Sequence, residues 1–363
     1  MTGEIFFFVL PDLNYGGAQK TFCNIINQIS KKHENNKLYL IAINKSLKVH
    51  NLDKRIKIVN LNSSRTIFSF YKLVQLILKI KPNYVFSTTI HINLLCIFTK
   101  ILTFKNNTKF IIRESNPSFY RNDIGIFIKS LAKLFYNFSD HIICLSEFSK
   151  KNILDHIKIN ENKISTIYNP VNIIEIIKLS NEKNNINFSD KQMNLIFVGR
   201  LSAQKNIKYL IEIIKNLNLP NIKLRIIGNG NCHKNISDTI IKYKLRNIVE
   251  IIDFKKNPYI YIKKSDLFLL SSKWEGFGHV IAESLVLDTP VISINTKGIA
   301  KIFYKCKYFN KFNSSSIEKV SDYIKEKLVF YKSHKPIIDK SFLNEISTEV
   351  ITQKYIDLIK KIK

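Results

Sequence analysis

Twice along this chain, short apolar runs rich in Ile, Val and Phe alternate with longer stretches whose apolar residues recur at helical spacing. The first series predicts strands over residues 5–9, 38–43, 56–59, 84–87, 110–113, 141–145 and 164–167, with helical patterns such as 18–33, 68–80 and 124–138 between them. The cycle restarts with a buried strand at 194–199, a helix from about Asn206, and strands at 223–227, 249–252, 267–270 and 291–293. Strands joined through helices run parallel and are covered on both faces, so two such series predict an α/β chain of two doubly wound, Rossmann-like domains. The polar segment 180–192, with Asn169-Pro170 shortly before it, reads as the connection. The expected division is residues 1–175 and 176–347.

Length agrees with two domains, because 363 residues exceed what a single core usually organises. A hydrophobic content of 45%, with 12% aromatic residues, is enough to fill two cores. No run of 18 or more apolar residues occurs; the stretches 73–80 and 90–102 are short or interrupted by Lys and polar residues. The first ten residues lack basic groups ahead of their apolar run and read as a buried strand rather than an export signal. Cys23, Cys96, Cys144, Cys232 and Cys306 stand singly with no C-x-x-C spacing, which points to a reducing, cytoplasmic setting without structural zinc. Cys96 and Cys144 sit in apolar runs and read as core.

In doubly wound folds ligands bind at the carboxyl ends of strands, so the loops after the strands are the places to look. Trp274-Glu275-Gly276-Phe277-Gly278-His279-Val280-Ile281-Ala282-Glu283 places two carboxylates eight positions apart around a glycine loop. With a helix starting near Gly278, Glu275 lies in the loop and Glu283 on the helix, while backbone N–H groups at the helix start favour an anion. Gly199-Arg200-Leu201-Ser202-Ala203-Gln204-Lys205 presents two cations five residues apart, a fork and a point charge suited to a diphosphate. Asn14-Tyr15-Gly16-Gly17-Ala18-Gln19 opens the first helix with a glycine pair, and Gly228-Asn229-Gly230 forms a further turn after a strand.

Taken together, Gly16-Gly17-Ala18-Gln19, Tyr168-Asn169-Pro170-Val171-Asn172, Phe197-Val198-Gly199-Arg200 with Lys205-Asn206, Gly228-Asn229-Gly230, and Glu275-Gly276-Phe277-Gly278 with Glu283 resemble the retaining glycosyltransferases of family 4, which have the GT-B architecture. The resemblance covers most of the chain. It implies two domains facing a central cleft, an acceptor held by the N-terminal domain, a nucleotide-sugar donor held by the C-terminal one, and a last helix, 348–363, returning to the first domain. It further implies that Glu275 bonds donor-sugar hydroxyls, Glu283 binds the ribose, and Arg200 with Lys205 neutralises the leaving diphosphate. Backbone groups of Gly16, Gly17, Gly199, Gly228, Gly230 and the Gly276, Phe277, Gly278, His279, Val280 loop would complete the donor cradle. No Asp-x-Asp motif stands where a metal would be needed, and the two cations can replace one electrostatically, so no metal and no other cofactor is expected.

Arg113-Glu114-Ser115-Asn116-Pro117 occupies the place where many relatives carry a histidine, and is similar to a segment of enzymes that build bacterial surface polysaccharides. Arg113, Glu114 and Asn116 are therefore candidate acceptor contacts, against an alternative in which they form an ion pair closing a strand. His91 and His279 read as packed or solvated rather than catalytic.

A net charge of +29 is concentrated: residues 31–110 hold 15 Lys/Arg against Glu34 and Asp53. Solvated lysines of a Lys-, Asn- and Ile-rich sequence account for part of it. The stretch 64–81 mixes Phe68, Phe70, Leu73, Leu76 and Ile77 with Arg65, Lys72, Lys79 and Lys81, a pattern suited to an anionic membrane surface. The expected partners are thus a nucleotide sugar, UDP-linked in the simplest reading, a polyprenyl-diphosphate-linked or glycan acceptor, and the inner face of the cytoplasmic membrane. Nucleic acid is not expected, because no zinc pattern, helix-turn-helix or RNP-like segment accompanies the charge. A nucleotide-sugar epimerase or a glycan phosphorylase of the same architecture is the alternative.

Overall fold

The computed structural model describes residues 3–14, 16–44, 51–63, 68–334 and 336–362. It divides into two compact units, Met1–Pro170 with Ile346–Lys363, and Val171–Glu345. The first unit has a parallel sheet of β1 (Ile5–Leu10), β2 (Lys37–Ala42), β3 (Lys57–Asn60), β4 (Tyr84–Thr88), β5 (Lys109–Glu114), β6 (His141–Cys144) and β7 (Ile164–Thr166), in the order 3-2-1-4-5-6-7. Its helices α1 (Gly17–Lys32), α2 (Ser69–Ile80), α3 (Ile90–Leu102), α4 (Ile126–Phe135) and α5 (Glu147–Leu154) lie between the strands in sequence. The Phe-rich strand β1 shows why both faces are covered, since successive side chains point to opposite sides. Phe8 meets Phe22 of α1 edge-on and stacks on Phe86 of β4. Phe7 and Val9 instead join a cluster with Leu73 and Ile77 of α2 and Leu95 and Cys96 of α3. Each such side chain contributes on the order of 2 kcal/mol by leaving water.

The second unit repeats the plan. Its strands β8 (Met193–Val198), β9 (Ile222–Ile227), β10 (Val249–Ile252), β11 (Leu267–Leu270), β12 (Val291–Ile294) and β13 (Phe309–Phe312) are parallel in the order 10-9-8-11-12-13. They alternate with α6 (Ile173–Ser180), α7 (Ile207–Leu217), α8 (His233–Lys242), α9 (Tyr259–Lys263), α10 (His279–Val286) and α11 (Ile317–Ser333). The final helix, α12 (Thr348–Ile362), belongs to the first unit, where it packs on α1 and brings Tyr355 against Phe86. Strand order reverses between β1 and β4 in one sheet and between β8 and β11 in the other, which opens a crevice at the carboxyl ends of those pairs.

One expectation is corrected. The polar segment 180–192 is not the connection, because the chain leaves the first unit at Pro170 and the segment is strapped onto the second. Asn257 Nδ2 donates to Leu179 O and to Glu182 Oε2, both at 2.8 Å, and Asn194 Nδ2 donates to Ser189 O at 3.2 Å. The Arg225 guanidinium lies 3.6 Å from the Phe188 ring centroid. Most of 181–192 is solvent-exposed, yet Asn181 and Asn184 also accept from Lys263 and Lys264 at the end of α9, so the segment lies along the second unit rather than between the two. Strand β13, Phe-Asn-Lys-Phe, is absent from the sequence reading because half its residues are polar. Among the described residues no helix is long and apolar enough to cross a membrane.

Candidate functional site

The two loops at the switch point of the second sheet carry most of the candidate residues. After β8 the chain runs through Gly199 and Arg200 into a 3₁₀ turn, Ala203–Lys205, and Asn206 takes a left-handed φ of 51° before α7 begins. After β11 it runs through Glu275 to Gly278, whose φ of 102° suits glycine and which precedes the first residue of α10. These loops are tied together. Lys273 N donates to Gln204 O at 2.8 Å, Gln204 Nε2 donates to Trp274 O at 2.8 Å, and Ser271 Oγ donates to Lys205 O at 2.9 Å. A third loop supports them, with Glu275 N donating to Lys297 O at 2.8 Å.

On that frame Lys205 Nζ donates to Glu275 Oε1 at 2.6 Å, with the two side chains only 15% and 11% exposed. A mostly buried, mutually oriented ion pair fixes both heads in place. Arg200 is exposed and makes no ion pair among the described residues, so its fork is available to a ligand. Glu283, on the buried side of α10, accepts from Tyr259 Oη at 3.1 Å. Phe277 is buried against Phe303, and the His279 ring meets it edge-on with centroids 5.4 Å apart. Gly276 and Val280 complete the loop and the first turn of α10, which has no acidic residue; the leading N–H groups of a helix lack partners within it.

The glycines of the neighbouring loop have a steric explanation. A Cβ on Gly228 would collide with the Gly199 carbonyl, and one on Gly230 with the backbone of Leu201. Leu201 N donates to Asn229 O and Cys232 N to Leu201 O, so the loop after β9 holds the Arg200 backbone from below. Gly228 and Gly230 are thus supports of the cation loop. In the first unit, Gly16 caps α1 with extended backbone, Gly17 is its first residue, and Gln19 Nε2 donates to Asp12 Oδ1 at 2.9 Å. Tyr15 lies outside the described residues.

Arg113 and Glu114 are both 1% exposed and do not pair with each other, because adjacent strand residues point to opposite faces. Arg113 Nη1 donates to Thr88 Oγ1 at 2.9 Å and Nη2 donates to Asn169 Oδ1, while Phe22 and Tyr355 pack beside the guanidinium. Burial pulls its pKa below the usual arginine range. Glu114 accepts from Ser118 N at 3.0 Å and Tyr136 Oη at 3.2 Å, and burial pushes its carboxyl up to about 7. The ion pair of the alternative reading is therefore not formed between these two residues, and the heads of both are turned into the unit's own interior, away from the surface where an acceptor contact was expected. Arg113 ties the end of β4 to the residue before the crossover at Pro170 and to α12. Asn116 is half-buried, as is Ser115 beside it.

His91 is exposed and His279 half-buried, as the sequence suggests. Cys23, Cys96, Cys144 and Cys306 are buried free thiols. Among the described residues no group of three or more His, Cys, Asp and Glu side chains is placed to hold a metal ion. Tyr259, Gln204 and Asn169 were not legible as site residues, since each acts by a partner more than twenty positions away.

Two doubly wound units, with a paired lysine and glutamate at one switch point, define a GT-B type protein. Residues 15–174 match the family described as Glycosyltransferase Family 4, and residues 180–338 match Glycosyl transferases group 1. The chain belongs to the family 4 glycosyltransferases of GT-B architecture. It is 33% identical over 239 residues to an uncharacterised glycosyltransferase of Methanocaldococcus jannaschii, covering 62% of this chain and 59% of that protein. It is 27% identical over 304 residues, 80% of each chain, to the N-acetylgalactosamine-N,N'-diacetylbacillosaminyl-diphospho-undecaprenol 4-alpha-N-acetylgalactosaminyltransferase of Campylobacter jejuni. The fold is shared with Anabaena HepE, solved in complex with UDP and glucose, at a TM-score of 0.77 and 13% identity over 99% of this chain and 100% of that one.

Proposed function

We propose that this glycosyltransferase moves a sugar, with retention at the anomeric carbon, from a nucleotide-sugar donor to a lipid-linked or surface-glycan precursor, without a metal ion. The observation that carries the reading is the Lys205–Glu275 pair at the second switch point, with the unpaired Arg200 on the same loop. Arg200 and Lys205 neutralise the two negative phosphates of the leaving group, and preorganised cations supply there what a divalent ion supplies elsewhere. Glu275 then accepts hydrogen bonds from donor-sugar hydroxyls and Glu283 from the ribose, with Tyr259 holding the latter carboxylate. The bond between the anomeric carbon and the diphosphate oxygen breaks with its electron pair staying on oxygen. The acceptor hydroxyl attacks the same face of the cationic carbon and gives its proton to the departing diphosphate.

A UDP-sugar and a polyprenyl-diphosphate acceptor are the simplest choices. The Campylobacter relative's name specifies a diphospho-undecaprenol acceptor, and a structural neighbour was solved with UDP. The place of action is the inner face of the cytoplasmic membrane. A screen of UDP-, GDP- and dTDP-sugars with polyprenyl-diphosphate acceptors, run with and without EDTA, tests this reading. Transfer unaffected by the chelator is expected. Conversion of the nucleotide sugar to an epimer without acceptor, or phosphorolysis of a glycan, would replace it.

A further inference from the structure

Helix α3 is apolar around nearly its whole circumference, a property of helices that are surrounded by apolar material on every side. Its inner residues, Ile92, Cys96 and Ile97 among them, are buried over β4 and β5. His91, Leu94, Leu95, Phe98, Ile101 and Leu102 recur at the spacing of one helix face and floor an open groove of about 540 Å³, with Leu94 and Leu95 buried at its base. Phe70 of α2 and Phe127 and Leu131 of α4 form its walls. Large apolar side chains stand in solvent at its margins: Ile126 is 83% exposed, Phe127 72%, Phe104 74% and Leu102 60%. A contiguous apolar surface of this kind marks a docking site.

Charge identifies the occupant. Helices α2, α3 and α4 carry Lys72, Lys79, Lys100, Lys129 and Lys133 and no acidic residue; Lys100 is paired with Asp140 at 2.6 Å, while Lys72, Lys79 and Lys133 are exposed. Over residues 68–138 there are ten Lys/Arg against Glu114 and Asp123; Glu114 is buried and Asp123 is paired with Arg121 at 2.6 Å. Apolar side chains projecting between lysines, with no exposed unpaired carboxylate, fit an interface that is hydrocarbon within and anionic at its surface. The segment 64–81 supplies only one wall of it, and Arg65 lies outside the described residues. We propose that this face docks on an anionic lipid bilayer, with the hydrocarbon chain of one lipid seated in the α2–α3–α4 groove. The proposal deepens the membrane-surface part of the function proposed above and rests on it.

Phe127→Glu and Leu102→Glu test it, since both side chains are exposed and their replacement leaves the core intact. Sedimentation with phosphatidylglycerol and phosphatidylcholine vesicles is measured alongside calorimetric titration with dodecyl phosphate below its micelle concentration and with inorganic phosphate. The wild type is expected to bind the anionic vesicles and, saturably, dodecyl phosphate, but not inorganic phosphate. Each variant should weaken both interactions at least about tenfold while donor hydrolysis is unchanged. Wild-type affinity in both variants, equal binding to neutral vesicles, or no binding of dodecyl phosphate would overturn the proposal. Retained vesicle binding by a wild type that hydrolyses no nucleotide sugar would support the docking face and count against the chemistry alone.

Discussion

Replacing Lys205 by Met separates what the Lys205–Glu275 pair does for the fold from what it does for the reaction. The pair is close, at 2.6 Å, and its side chains are only 15% and 11% exposed. Removing one member of such a pair leaves a carboxylate with little water and no partner, which costs about 3–5 kcal/mol. For a unit the size of Val171–Glu345 that corresponds to a fall in melting temperature of roughly 6–20 °C. Neutralising both, Lys205→Met with Glu275→Gln, removes the orphaned charge and should recover most of the loss, because a buried pair is worth little against neutral groups of similar volume. Activity should behave otherwise and remain low in the double variant, which lacks both the cation at the diphosphate and the charged acceptor for sugar hydroxyls. Thermal unfolding followed by circular dichroism, with turnover measured on the same preparations, gives both quantities. A Lys205→Met protein that melts within about 2 °C of the wild type, or a double variant whose loss equals the sum of the singles, would refute the reasoning.

Glu283→Gln should mainly weaken binding of the free nucleoside diphosphate and Glu275→Gln mainly lower the rate step, a contrast read by titration and steady-state kinetics; equal loss of nucleotide affinity in both would undo the division of roles. Glu114 gives a pH signature. Its carboxyl titrates near 7 in the fold and lower when unfolded, so the folded state binds the extra proton and stability falls as pH rises from about 4.5 to about 7, by on the order of 3 kcal/mol. Glu114→Gln should flatten that profile and be the more stable protein at pH 8, as denaturant midpoints at pH 5 and 8 will show. Gly228→Ala forces a Cβ against the Gly199 carbonyl at a backbone φ of 146°, and should cost at least ~2 kcal/mol in urea unfolding while lowering turnover by displacing Arg200.

The alternation of buried runs and amphipathic stretches was enough to read every strand among the described residues but β13, whose Asn310 and Lys311 break the apolar pattern. The division of the chain was harder to read, since exposed polar residues such as 180–192 look the same in sequence whether they join two units or lie along one. At the candidate site, Lys205 and Glu275 stand in short loops at strand ends, where the sequence points to a ligand, and Glu283 follows on α10. What those loops do to one another was not legible, because the Lys205–Glu275 bond spans 70 positions and the glycines at 228 and 230 answer to a loop nearly thirty positions earlier. Arg113 and Glu114 show the reverse failure. Resemblance of their segment to one in surface-polysaccharide enzymes suggested an acceptor contact, and strand alternation turned each into the interior on its own side of the sheet.

The most direct measurement is turnover of the nucleotide-sugar donor by Arg200→Ala. Arg200 is exposed and unpaired among the described residues, so its loss leaves the fold unchanged and reports on the ligand alone. If this loop neutralises the leaving diphosphate, turnover with donor and acceptor both saturating falls by roughly a hundredfold, the order expected for removing one preorganised charge donor. Turnover within about twofold of the wild type, with unaltered unfolding, would contradict the placement of the donor at this switch point.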